Sequence, residues 1–122
     1  MPAKSTTPLA APPWVEAQRP QVEALERALG HEFRDPALGA EALVHPSYAA
    51  ETRPSVPHYQ RLELLGDATV GLAVSHALWT AMPRAPEGLL SRTRAEVVST
   101  RSLADVARSH GFGQFVLLGR GE

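Results

Sequence analysis

The stretch from His58 to Trp79 constrains this chain more than any other, because it is apolar on nearly every side yet carries two carboxylates. Leu62, Leu64, Leu65, Ala68, Val70, Leu72, Ala73, Val74, Ala77 and Leu78 run all the way round a 3.6-residue period, and as a helix the segment would measure ~33 Å. A helix that is apolar all round belongs at the centre of a core, covered by neighbours. No strand-like alternation elsewhere is strong enough to build a sheet. The expected class is therefore all-α, with this helix central and buried.

The neighbours are legible from their punctuation. Val22, Leu25 and Leu29 recur at three and four residues, and Gly30 supplies a stop. Asp35-Pro36 reads as a cap followed by a first-turn proline, opening a helix through Leu43. That helix should end near His45, because Pro46 disfavours helical geometry in the residue before it, and His45 is expected to cap or pack at that end. Residues 51–57 read as a loop, and Pro83 and Pro86 break the chain after the long helix. A further helix is expected over Glu87–Ser99, then a restart from Ser102 and Asp105 towards Gly111. Phe115 to Leu118 is short, apolar and assigned to neither class. Residues 1–20 hold five prolines among small residues and are expected to form a flexible tail. Trp14 within it either packs locally or is a stray aromatic. The remaining residues, 21–122, read as one domain.

Composition narrows the function classes. The chain has 122 residues and no cysteine, which excludes disulfides and thiolate metal sites. Twelve basic residues against thirteen acidic ones give a formal charge of −1, without the basic excess that a free-standing nucleic-acid binder usually carries. No apolar run reaches the ~20 residues of a membrane span, and the N-terminus lacks a secretory pattern. The expectation is a cytoplasmic protein with no membrane association.

The chemistry lies inside the long helix. Glu63 and Asp67 are four apart, so their carboxylates project from one face, with Gln60 beside them. Surrounded by apolar neighbours, two uncompensated anions would cost several kcal/mol each. Arginines could offset that cost, with Arg61, Arg92 and Arg94 as candidates. A hard divalent cation is the other solution, since Mg2+ is bound by one or two carboxylates plus waters and substrate phosphates. Spacing alone leaves both open.

Residues 59–67, Tyr-Gln-Arg-Leu-Glu-Leu-Leu-Gly-Asp, closely resemble the signature of the ribonuclease III family, Glu/Gln-Arg-Leu-Glu-Phe-Leu-Gly-Asp. Three further segments resemble the family's in the same order: Ala42 to Tyr48, Glu87 to Ala95, and Gly119 to Glu122. The resemblance implies the endonuclease-domain fold of that family and a homodimeric enzyme that cuts double-stranded RNA in ribosomal and messenger RNA processing. It also implies Mg2+ as cofactor, with Mn2+ as a substitute. By position, Glu63 would be a metal ligand and Asp67 the catalytic acidic residue on the same helix. Leu64 replaces the family's Phe. The family's remaining metal carboxylates lie in a later Asp-x-x-Glu-Ala helix, followed by a double-stranded-RNA-binding module, and neither pattern occurs in these residues. The fold is thus expected to be incomplete at its C-terminus and the chain alone to be inactive. A ribonuclease III-like RNA-binding or dimerisation module without hydrolysis is the alternative, and it would pair Glu63 and Asp67 with arginines.

Other signals carry less. Glu87 stands near the signature helix but reads first as a helix-N-terminal acid. Arg92, Arg94, Arg101 and Arg108 either meet phosphates or form a solvated face. His31-Glu32 begins like a zinc-protease motif and lacks the second histidine.

Overall fold

The computed structural model describes residues 10–122, and among them every regular element is helical. In chain order these are α1 (Pro13–Ala17), α2 (Arg19–Leu29), α3 (Pro36–Leu43), α4 (Pro46–Glu51), α5 (Gln60–Ala81), α6 (Glu87–Val97) and α7 (Thr100–Ser109), then a 3₁₀ turn over Phe112–Phe115. The all-α expectation holds.

Several expected boundaries are set by the predicted chemistry. The αL conformation of Gly30, φ 65°, ends α2. The Asp35 carboxylate accepts from the Ala37 amide at 3.0 Å and opens α3. The last restart differs by three residues: Ser99, not Ser102, caps α7, its hydroxyl accepting from the Ser102 amide at 3.2 Å.

The flexible tail expected over residues 1–20 is corrected for its second half; residues 1–9 lie outside the described part. Residues 13–17 are helical, and α2 begins at Arg19. Val15 is fully buried with Val22 and Ala40, and Trp14 packs on that cluster rather than standing free. The physical reason is proline placement. Pro13, Pro20, Pro36 and Pro46 all sit in the first turn of a helix, where a missing N–H costs nothing and a fixed φ helps. The prolines mark helix starts here, not disorder.

A second cluster, Leu25, Leu43 and Phe115, joins α2 and α3 to the 3₁₀ turn, with Phe33 bridging both clusters. Leu117 then runs beside Val44 as a single parallel bridge: Leu117 N donates to Leu43 O at 2.8 Å and His45 N to Leu117 O at 3.0 Å. The buried core thus lies among α1, α2, α3 and the chain around Phe115, with Ala49 of α4 also buried.

Helix α5 is not part of it. The expectation of a central, covered helix is overturned for this chain, because α5 contains no buried residue. Leu64 is 77% exposed, Leu72 72% and Trp79 70%. α6 packs along one side of α5, and the start of α5 is tied to the core where Tyr59 N donates to Val44 O at 3.0 Å. Its other faces meet solvent. Burying a large apolar side chain stabilises by about 1.5–3 kcal/mol. Left open, Leu64, Leu65, Leu72 and Trp79 together forgo an amount comparable with a domain's whole stability of about 5–15 kcal/mol.

Candidate functional site

Glu63 lies in the first turn of α5 and Asp67 one turn further on, so the two carboxylates share a face as their spacing requires. The positive end of the helix dipole favours an anion at Glu63, whose amide is held by Tyr59 O at 2.8 Å. Both residues are exposed. The burial penalty expected at this pair is therefore absent, because the helix that carries them is not enclosed. Contact with solvent keeps the cost of the two charges low.

The arginine solution is not the one adopted. Among the described residues the salt bridges are Arg19 with Glu16 and Arg108 with Asp105, and neither Glu63 nor Asp67 accepts a side-chain hydrogen bond. Arg94 instead donates to the Ser75 hydroxyl at 3.2 Å, across the α5–α6 seam. Arg19 holds the Glu16 carboxyl below its ordinary range through a hydrogen bond, but on the solvent-exposed side of α1 and α2.

Glu87 is the first residue of α6, as a helix-N-terminal acid should be, and accepts from the Ser91 hydroxyl. It lines a cleft of about 430 Å³ between α5 and α6 with Leu72, Ser75, Trp79, Leu90 and Arg94. Ser75 is twelve residues from Glu63, or ~18 Å along the helix. The structure therefore keeps Glu63 and Asp67 together and leaves Glu87 with the other half of α5. No group of three or more His, Asp or Glu side chains able to hold a metal occurs among the described residues.

Two carboxylates offering oxygen, solvent-accessible and one turn apart, fit the donor chemistry of Mg2+, which keeps several waters and takes few protein ligands. They fit part of a coordination shell.

Of the two readings of His45 at the end of α3, packing agrees with the ring's edge-on contact with Tyr59, and capping is corrected. Its Nδ1 accepts from the Ser47 amide at 3.1 Å and caps the start of α4, a helix the sequence reading placed partly in loop. The signal was present in His45-Pro46, an acceptor side chain before a first-turn proline. Ser47 and Glu51 on α4 were not singled out either. They hold the C-terminal segment, through Gly119 N to Ser47 Oγ at 2.9 Å and Arg120 N to the Glu51 carboxylate at 3.0 Å.

Similarity to known proteins covers most of this chain. A family model described as Ribonuclease-III-like matches residues 35–122. Ribonuclease 3 of Myxococcus xanthus is 48% identical over 103 residues, 84% of this chain and 40% of that protein. Ribonuclease 3 of Oleidesulfovibrio alaskensis is 46% identical over 100 residues, 82% of this chain and 44% of that protein. Among solved structures, the nuclease domain of ribonuclease III from Campylobacter jejuni aligns with a TM-score of 0.74 at 37% identity, covering 83% of this chain and 67% of that one. That structure is described as flexible in the region involved in dimer formation. The chain spans about two-fifths of the length of the curated relatives it matches. With the signature residues set on α5 in the expected register and the fold shared with a solved nuclease domain, this chain belongs to the ribonuclease III family.

Proposed function

We propose that this chain is part of the catalytic domain of a magnesium-dependent endoribonuclease that hydrolyses double-stranded RNA, working as a homodimer in ribosomal and messenger RNA processing in the cytoplasm. The observation that carries the reading is the exposed Glu63–Asp67 pair on α5, within a match to the family that extends to residue 122. Names of the relatives support the nuclease class, and the dimer described for the Campylobacter jejuni domain supports the homodimer. No helix of the described residues is long and apolar enough to cross a membrane.

In this reading Glu63 is a metal ligand, and Asp67, one turn along, is the second acid facing the scissile phosphate. When bound, Mg2+ supplies an activated water and neutralises charge on the phosphate and leaving oxygen. Exposure serves these side chains, since a duplex must reach them from solvent and A-form RNA is met by shape, phosphates and 2′-hydroxyls. The apolar flanks of α5, open in the single chain, are the surface a second copy or a further helix of the domain would cover. Covering them would lower the dielectric around Glu63 and Asp67 and strengthen their hold on a cation.

The test is cleavage of a long RNA duplex with Mg2+ by the gene's full product, wild type against Glu63→Ala and Asp67→Ala. Each variant is expected to lose at least ~100-fold, of the order seen when a positioned charged group is removed from a site. Undiminished cutting by either variant overturns the assignment.

A further inference from the structure

Helix α5 is held at its two ends by different means. Its far half packs along α6, where Arg94 reaches Ser75, and α6 returns to the core through α7 and the 3₁₀ turn. The near half carries Glu63 and Asp67 and has no buried residue, and among the described residues no side-chain hydrogen bond joins residues 60–70 to another helix. What ties this half to the core is Tyr59, the residue before the helix. Its amide donates to Val44 O at 3.0 Å, and Val44 is fully buried. Its carbonyl accepts from the Glu63 amide at 2.8 Å. Its half-buried ring meets the His45 ring edge-on, with centroids 5.7 Å apart and planes at 67°.

The seat is itself fixed. His45 N donates to Leu117 O at 3.0 Å, and the His45 ring is held at Nδ1 by the Ser47 amide at 3.1 Å. Tyr59 thus touches the scaffold at two points, a backbone hydrogen bond and a ring contact. One hydrogen bond locates the helix start but lets the rod swing about it, because hydrogen-bond angles are broadly distributed. A second contact off that axis removes the swing. Aromatic pairs have preferred geometries, so the ring supplies direction as well as attraction.

We propose that Tyr59 is the positioning residue of the acidic pair: its ring, seated on His45, fixes the direction in which α5 leaves the core, and so the place at which Glu63 and Asp67 meet the rest of the site. Four and eight residues on, the two acids stand ~6 and ~12 Å along the helix, so a swing of ~10° about Tyr59 carries Asp67 by ~2 Å. The spacing between the acids is unaffected, because they ride on one helix. Their register with groups on other elements changes, and a misplacement of ~1 Å in a site can cost on the order of 100-fold in rate. The bearing on catalysis rests on the nuclease reading; the direction of α5 does not.

Residual dipolar couplings of the ¹⁵N-labelled chain report the orientation of α5 against α2 and α3. In Tyr59→Ala the couplings of residues 60–70 should cease to fit the wild-type orientation, with those of α2 and α3 unchanged. Tyr59→Phe keeps the ring and should match wild type. His45→Asn keeps an acceptor for the Ser47 amide and removes the seat, so it should reproduce Tyr59→Ala and stands in for it should the alanine variant fail to fold. In the gene's full product, Tyr59→Ala should lower kcat for duplex cleavage about tenfold to hundredfold and raise the Mg2+ concentration for half-maximal cutting, with KM for the duplex unchanged and Tyr59→Phe restoring both. A merely destabilised enzyme would lose active molecules without moving the Mg2+ requirement. Couplings that stay as in wild type in Tyr59→Ala or His45→Asn overturn the proposal. So does a Phe variant no better than Ala, or an unchanged kcat. A wild type that cuts nothing removes the nuclease reading, and the couplings then decide the anchor by themselves.

Discussion

The backbone amide of Arg120 lies 3.0 and 3.1 Å from the two carboxylate oxygens of Glu51, the last residue of α4. A carboxylate at a helix C-terminus faces the negative end of the dipole, a position its charge alone disfavours. Capture of an amide from 69 residues away offsets that cost. Together with the Ser47–Gly119 bond it ties the C-terminal segment to both ends of one short helix.

Glu51→Ala is expected to lower stability by about 1 kcal/mol, the net worth of an exposed hydrogen bond to a charged group. Glu51→Gln keeps an acceptor oxygen and relieves the dipole conflict, so it should recover most of the loss. Urea denaturation of the three proteins measures this. An Ala variant as stable as wild type would show that the contact contributes nothing.

Gly119→Ala should be the more damaging change. A Cβ there would stand 2.8 Å from the Ser47 carbonyl oxygen and 2.9 Å from its carbonyl carbon, backbone atoms that cannot swing aside. Relief requires lifting the segment off α4, which breaks both clasping bonds. A loss of about 1–3 kcal/mol is expected, with the Arg120 amide losing its exchange protection. Unchanged protection would mean that the segment moves without letting go.

The open flank of α5 predicts association. At high concentration the chain should sediment as more than a monomer, because Leu64, Leu65, Leu72 and Trp79 are large apolar side chains left exposed on α5. Leu64→Glu and Leu72→Glu should shift it towards monomer while leaving helical content unchanged, since neither side chain is buried. A wild type that sediments as a monomer throughout would remove the argument.

Neutralising Asp67 should move metal affinity and stability in opposite directions. Like charges at i and i+4 destabilise a helix by a few tenths of a kcal/mol, so Asp67→Asn should melt slightly higher without metal, whereas Glu63→Gln also gives up the helix-dipole attraction of the first turn and should gain nothing. Both should weaken binding of Mn2+, read as paramagnetic broadening confined to residues near 63–67, by about tenfold. Broadening of equal strength in the double variant would place the cation elsewhere. These 122 residues alone are expected to cut duplex RNA little or not at all, because among the described residues no third carboxylate joins the pair. A standard gel assay checks that.

Much was legible in order along the chain. Gly30 and Asp35 act locally, through a φ of 65° and a hydrogen bond two residues away, so their roles could be named without a fold. Glu63 and Asp67 share a face by helical period alone. The proline-rich first twenty residues misled because proline count says nothing of proline position. At Pro13 and Pro20 the ring starts helices that Val15 and Val22 then anchor. The capping role of His45 was placed at the wrong helix end, since the partner that decides it, the Ser47 amide, exists only once α4 has formed.

By itself the sequence determined α2, α3, α5 and α6 and the placement of two acids on one face of α5, because each is set by spacing within a few residues, and four ordered segments of resemblance pointed to the family. Only the tertiary structure decided what surrounds α5. An apolar pattern states that a surface gains by being covered, and says nothing about whether neighbours within the same chain reach it. Here α6 covers one side and the rest of α5 faces water, so the acids the pattern placed in a core stand in solvent.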